Sequence, residues 1–106
     1  MEHYIELNNR TFEVKKVKSK LRPLRFRALT DCYTRPSKAK LEIYSDWVDW
    51  LIELNNMSTD MWYNPMCVLS YNNMMFTLGC DVYNNKNQLI GQLYISKTRQ
   101  EFWKVD

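Results

Sequence analysis

FTLGCDVYNNKNQLIGQLYI, residues 76–95, alternates in polarity on both sides of a polar centre. Phe76, Leu78, Cys80 and Val82 interleave with Thr77, Gly79 and Asp81, and beyond the NNKNQ stretch at 84–88 the residues Leu89, Gly91, Leu93 and Ile95 fall into step again. Successive side chains of a strand point to opposite faces, so a period of two gathers the apolar set on one side. Two antiparallel strands around a short turn satisfy both halves. Upstream, a turn at Asn72 and Asn73 sets Leu69 opposite Phe76 and Cys67 opposite Leu78, with Ser70 and Met75 on the other face, which completes a three-stranded meander.

Asparagine carries these turn assignments. The chain has two glycines, yet Asn-Asn occurs at 8–9, 55–56, 72–73 and 84–85, and asparagine is the residue other than glycine that best tolerates left-handed backbone. A turn at Asn8 and Asn9 puts Ile5 opposite Phe12 and His3 opposite Val14, a second hairpin with one apolar face. Between hairpin and meander, PSKAKLEIYSDWVDWLIELNN (36–56) opens on Pro36 and Ser37 and closes on Asn55 and Asn56, the marks of a helix start and stop. At about 100° per residue, Leu41, Ile43, Tyr44, Trp47, Val48, Leu51 and Leu54 share one broad face, while Glu42, Asp46, Asp49 and Glu53 form a narrow stripe opposite. Trp50 lies on the border and reads as a core-edge tryptophan or a contact anchor, the core edge being the preferred assignment. The expected architecture is a two-layer α+β domain spanning 1–106, an antiparallel sheet in ββαβββ order with one amphipathic helix packed on it.

At 106 residues, 45% hydrophobic and 14% aromatic, the chain can support a core. No apolar run approaches the roughly 20 residues that span a bilayer, and MEHYIELNNR has neither the basic start nor the apolar middle of a signal peptide. A cytoplasmic protein without membrane contact is expected. Cys32, Cys67 and Cys80 are an odd set without C-x-x-C spacing, which predicts buried thiols rather than disulfides or zinc.

Catalytic equipment is sparse. The only histidine is His3, near the chain start, where a general base is not expected. Cys67 and Cys80 fall at core positions where a thiol is inert, leaving Cys32 in a loop as the sole nucleophile candidate. Two isolated glycines build no phosphate loop, and His, Asp and Glu show no metal-ligand spacing. The expectation is a protein that is not an enzyme and takes no cofactor or metal.

Charge is the remaining signal. KKVKSKLRPLRFR (15–27) carries seven positive charges and no negative one; residues 10–40 hold eleven Lys or Arg against Glu13 and Asp31, a net of +9, so with a total of +3 the other residues sum to −6. Lys16, Lys18 and Lys20 alternate with Val17, Ser19 and Leu21, as on an edge strand whose lysines discourage sheet-to-sheet pairing. Arg22, Arg25, Arg27 and Arg35 are guanidinium forks suited to phosphate or carboxylate. The basic residues read as a contact for nucleic acid, for an acidic partner or for the protein's own acidic helix, and otherwise as a solvated connection. The stripe Glu42, Asp46, Asp49 and Glu53 reads as a solvated face or as a partner surface with a sizeable negative field. Tyr71, Tyr83 and Tyr94 are the candidates for base stacking on a sheet face.

YTRPSKAKLEIYSDW (33–47), VLSYNNMMFT (68–77) and YISKTRQEFWKV (94–105) resemble a loosely defined group of short proteins from phages and mobile elements of gut Firmicutes. The shared features are a Pro-Ser helix start, a Ser-Tyr-Asn turn into an apolar strand and a Tyr-Ile-(Ser/Thr) strand near the C-terminus. The resemblance implies a phage or mobile-element origin, a bacterial host cytoplasm and an α+β fold, and it supplies no catalytic residues. By analogy, small phage domains without catalytic equipment bind and block host machinery, as anti-CRISPR and other anti-defence inhibitors do. The expected partner is therefore a host protein or nucleoprotein complex, with direct nucleic-acid binding through 15–27 as the alternative.

Overall fold

A computed structural model of the protein describes residues 3–24, 38–64, 68–72, 75–96 and 98–106. Along these residues β1 (Tyr4–Leu7) and β2 (Arg10–Val17) form a hairpin and α1 (Lys38–Met57) follows. Five strands come after it: β3 (Met61–Tyr63), β4 (Val68–Asn72), β5 (Met75–Asn84), β6 (Leu89–Ile95) and β7 (Gln100–Val105). The α+β expectation holds. The ββαβββ order holds only approximately, because the chain after the helix makes two further strands: the short β3, and β7 at 100–105, for which no strand was expected.

The sheet runs β1-β2-β7-β6-β5-β3, with β4 pairing β5 beside β3. It is mixed rather than antiparallel, since β7 inserts between β2 and β6 and runs parallel to β2, pairing Glu13 with Glu101 through Val17 with Val105. β1 pairs β2 over Arg10–Glu13 and β7 pairs it over Glu13–Val17, so the strand has a partner on both sides where the two ranges meet at Glu13. Only its end, past the bond from Val14 N–H to the His3 carbonyl (2.8 Å), reaches beyond β1, so the edge-strand reading of the lysines applies to that end alone.

The asparagine pairs play different parts. Asn8 and Asn9 both take positive φ (46° and 64°), the geometry of a two-residue hairpin turn, and Ile5 faces Phe12 as expected. At 84–88 the side chain of Asn84 accepts from the N–H groups of Lys86 and Gln88 (2.9 and 3.0 Å) while Asn87 takes φ of 60°. Asn55 makes no turn: α1 continues to Met57, and the Asn55 amide clasps β3, accepting from Tyr63 N–H (2.7 Å) and donating to the Tyr63 carbonyl (2.5 Å). At the fourth pair the predicted register is displaced, since Tyr71 faces Phe76, Asn72 faces Met75 and Val68 faces Leu78, with an irregularity between Val68 and Tyr71. Cys67 and Asn73 lie outside the described residues.

One face of the sheet meets α1. Trp47, Leu51 and Leu54 pack with Phe12, Tyr63, Leu78, Cys80, Val82, Leu93 and Phe102 into a buried cluster, and Tyr44 and Trp50 lie against it. Each fully buried side chain of this size contributes about 1.5–3 kcal/mol. Ile43 shares the azimuth of Leu54 on the helix but stays 52% exposed, three turns nearer the N-terminus, so the apolar face narrows there. Trp50 is a core-edge residue: it stacks on Trp47 (5.1 Å between centroids), tilts against Phe12, and donates from Nε1 to the Asn8 carbonyl (3.0 Å). Arg10 lies over the same pair, 5.0 Å from the Trp50 ring, and its burial lowers the guanidinium pKa from its ordinary value. Pro36, Ser37 and Cys32 lie outside the described residues.

Candidate functional site

The residues after β2 fold back onto the sheet face opposite the helix. Strand alternation places Asp81, Gln92 and Tyr94 on that face, because Leu78, Cys80, Val82 and Leu93 occupy the other. Asp81 is 1% exposed and Gln92 3% exposed, and both are committed to the returning backbone. The two Asp81 oxygens each accept from Leu24 N–H at 3.0 Å; Oδ1 also accepts from Gln92 Nε2 (3.0 Å) and Oδ2 from the Tyr83 hydroxyl (3.3 Å). Gln92 Nε2 donates to the Arg22 carbonyl, and its Oε1 accepts from the Tyr94 hydroxyl at 2.9 Å. A buried carboxylate persists where donors surround it, and here the donors include the main chain of the basic segment. Leu21, 7% exposed, seals the turn.

Residues 20–24 are therefore a docked strap rather than a solvated connection. Lys20 and Arg22 remain exposed on it, as does Lys18 just before it. Lys20 and Arg22 border an open hollow of about 640 Å³ whose wall includes Gln92, Tyr94 and Trp103. Tyr94 and Trp103 tilt against each other at 4.8 Å, and burial first, then the charges of Asp81 and Glu101, raises the Tyr94 pKa. Sequence reasoning had no role for Asp81, Gln92 or Trp103. The available signal was the position of Asp81, a carboxylate amid the apolar strand 76–82.

The remaining expected site residues separate. Lys16 is exposed on the helix-side face, where it pairs across strands with Lys104. Glu42, Asp46, Asp49 and Glu53 are all exposed along α1, and the exposed Ile52 flanks the stripe. The one ion pair among the described residues joins Lys15 and Glu13 at 2.9 Å, so none of these four carboxylates is neutralised by a described lysine or arginine. Arg25, Arg27 and Arg35 lie outside the described residues, as does the side chain of Tyr71. Tyr83 and Tyr94 are engaged with Asp81 and Gln92, and Tyr83 also tilts against Trp62, which is 50% exposed on β3. Among the described residues no group of three His, Cys, Asp or Glu is placed to hold a metal, and no helix is long and apolar enough to cross a membrane.

No protein-family model, curated protein or solved structure matches the chain.

Proposed function

We propose that the chain is a non-catalytic binding protein of phage or mobile-element origin that attaches to a host protein or nucleoprotein and blocks it, in the manner of an anti-CRISPR or other anti-defence inhibitor. The observation that carries the reading is the exposed stripe Glu42, Asp46, Asp49 and Glu53, four carboxylates along one side of a helix anchored by Trp47, Leu51 and Leu54. A rigid row of carboxylates suits a groove built for nucleic acid, where complementarity of charge directs association and specificity. Lys18, Lys20 and Arg22, with Arg25, Arg27 and Arg35 of the same basic region, engage an acidic or phosphate-bearing surface of the partner. Affinity capture from a nuclease-treated bacterial host lysate tests this. Capture of a defined complex that disappears when the four carboxylates become amides supports the reading, and capture indifferent both to that change and to replacement of Arg22, Arg25 and Arg27 by alanine refutes it.

A second reading, direct nucleic-acid binding, is favoured by the placement of Lys20 and Arg22 beside Tyr94 and Trp103 in one hollow, since single-strand binders combine cations with aromatic platforms. Titration against single-stranded DNA and RNA at two ionic strengths separates the two. Micromolar binding that falls steeply with salt supports the second reading; absence of binding removes it.

A further inference from the structure

The sheet curls enough for its two outermost strands to share a cavity. Ile5 and Leu7 of β1 and Met61 of β3, from opposite ends of the strand order, line one hollow of about 430 Å³ with Val14, Ile90 and Phe102. It lies in the range of small-molecule sites, which are concave, mostly apolar and furnished with few polar groups. A β-bulge contributes to it. Val82 pairs Gly91 and Tyr83 pairs Leu89, so Ile90 is the extra residue and is turned into the hollow.

The polar groups are Tyr63, Lys16 and Lys104. Tyr63 is 1% exposed and its hydroxyl meets the sulfur of Met61 at 3.9 Å. Lys16 and Lys104 are direct cross-strand neighbours on the parallel β2 and β7. Like charges side by side on one face repel, and among the described residues no carboxylate lines the hollow and neither lysine has an acidic partner. An apolar slot is thus bordered by two neighbouring positive charges. A peptide would bring a row of amide groups to a lining whose hydrogen-bonding side chains are Tyr63, Lys16 and Lys104 alone among the described residues, whereas an unbranched hydrocarbon brings none.

We infer that the hollow binds a single-chain anionic amphiphile, its hydrocarbon lying along Val14, Ile90 and Phe102 and its carboxylate or phosphate held between Lys16 and Lys104. This site stands apart from the acidic stripe and the strap, and it does not rest on the proposed inhibitor role. Calorimetric titration of the full chain with decanoate and decyl phosphate, each below its micellar concentration, and with decan-1-ol below its solubility limit tests it. Either anion should bind at least about tenfold more tightly than the alcohol, the worth of a charge-assisted contact. The double replacement Lys16→Ala, Lys104→Ala should reduce the anions to the level of the alcohol while circular dichroism stays unchanged. Amide shifts on addition of the bound anion should centre on Val14, Ile90 and Phe102. Failure of both anions to bind, equal binding by the alcohol, an unaltered affinity in the double variant, or shifts centred elsewhere would each overturn the assignment.

Discussion

Asp81 shows what a single residue can do in this chain. Its carboxylate holds the Leu24 amide, Gln92 and Tyr83 at once, and Asp81→Asn substitutes a donor for one of the accepting oxygens in a cluster of donors. The expected loss is about 2–4 kcal/mol, since hydrogen bonds to buried charged groups rank among the costliest to break, with faster amide exchange at Leu24. Urea unfolding and hydrogen exchange check the two effects. Tyr63 gives a pH-dependent counterpart. Burial first, then the charges of Cys80 and Asp60, pushes its hydroxyl from 10.0 up to about 12. The folded state holds that proton more tightly than the unfolded chain, so the stability it confers is whole below pH 10 and is lost as pH climbs toward about 12. Unfolding midpoints between pH 9 and 12 should fall less steeply in Tyr63→Phe, with Tyr44 and Tyr94, also raised by burial, accounting for part of what decline remains. Neither role was legible beforehand. Alternation places Asp81 off the helix-side face, but only the return of residues 20–24 over that face turns it from a solvent-facing carboxylate into a buried one.

At the scale of elements, the chain's local chemistry was readable wherever the partner lay close in sequence. The Asn8-Asn9 hairpin has the expected register because turn geometry and apolar alternation agree within ten residues. The helix, too, follows from its period, and Trp47, Leu51 and Leu54 are buried as the wheel requires. Around Asn72 a hairpin was expected and is present, but its register is displaced, because an irregular pairing between Val68 and Tyr71 carries no signal in composition. The hairpin turn lends itself to a direct test. Asn9 sits at φ of 64°, where a residue with an ordinary Cβ is strained by about 1–2 kcal/mol. Asn9→Ala should lower stability by about 1 kcal/mol, and Asn9→Gly, free of that strain, should change it by less than about half as much. Thermal unfolding of the two variants decides the matter. A third variant, Trp50→Phe, removes the bond from Trp50 to the Asn8 carbonyl that ties this turn to α1, worth about 1 kcal/mol, together with part of the ring contact with Trp47 and Arg10, so its loss should exceed that figure. If Asn9→Gly lost as much as Asn9→Ala, backbone conformation would not be what the asparagine supplies.

For the molecule as a whole the decisive strand is β7, which has no counterpart in the local pattern. Its apolar residues are few, Phe102, Trp103 and Val105 among Gln100, Glu101 and Lys104, and its register depends on β2 near the other end of the chain. Sequence periodicity cannot report a pairing of that range, which is why the meander was foreseen and its union with the N-terminal hairpin was not. In the strand order β7 is the sole bridge between β1-β2 and β6-β5. It also carries Phe102, which packs so closely on Gly91 that a Cβ there would lie 2.5 Å from the ring. Pairing Glu13–Val17 with Glu101–Val105 incurs its loop-closure entropy before any contact rewards it, so the sheet should form late and cooperatively. Phe102→Ala should then cost about 3–5 kcal/mol, a large fraction of the roughly 5–15 kcal/mol that stabilises an ordinary domain. A chain ending at Ser96 should lack the cooperative thermal transition altogether, and supplying residues 97–106 as a separate peptide should restore it in proportion to the peptide added. A truncated chain that melted as sharply as the whole one would mean that the hairpin and the meander meet without β7, and the curled sheet, with the hollow between its outermost strands, would need another explanation.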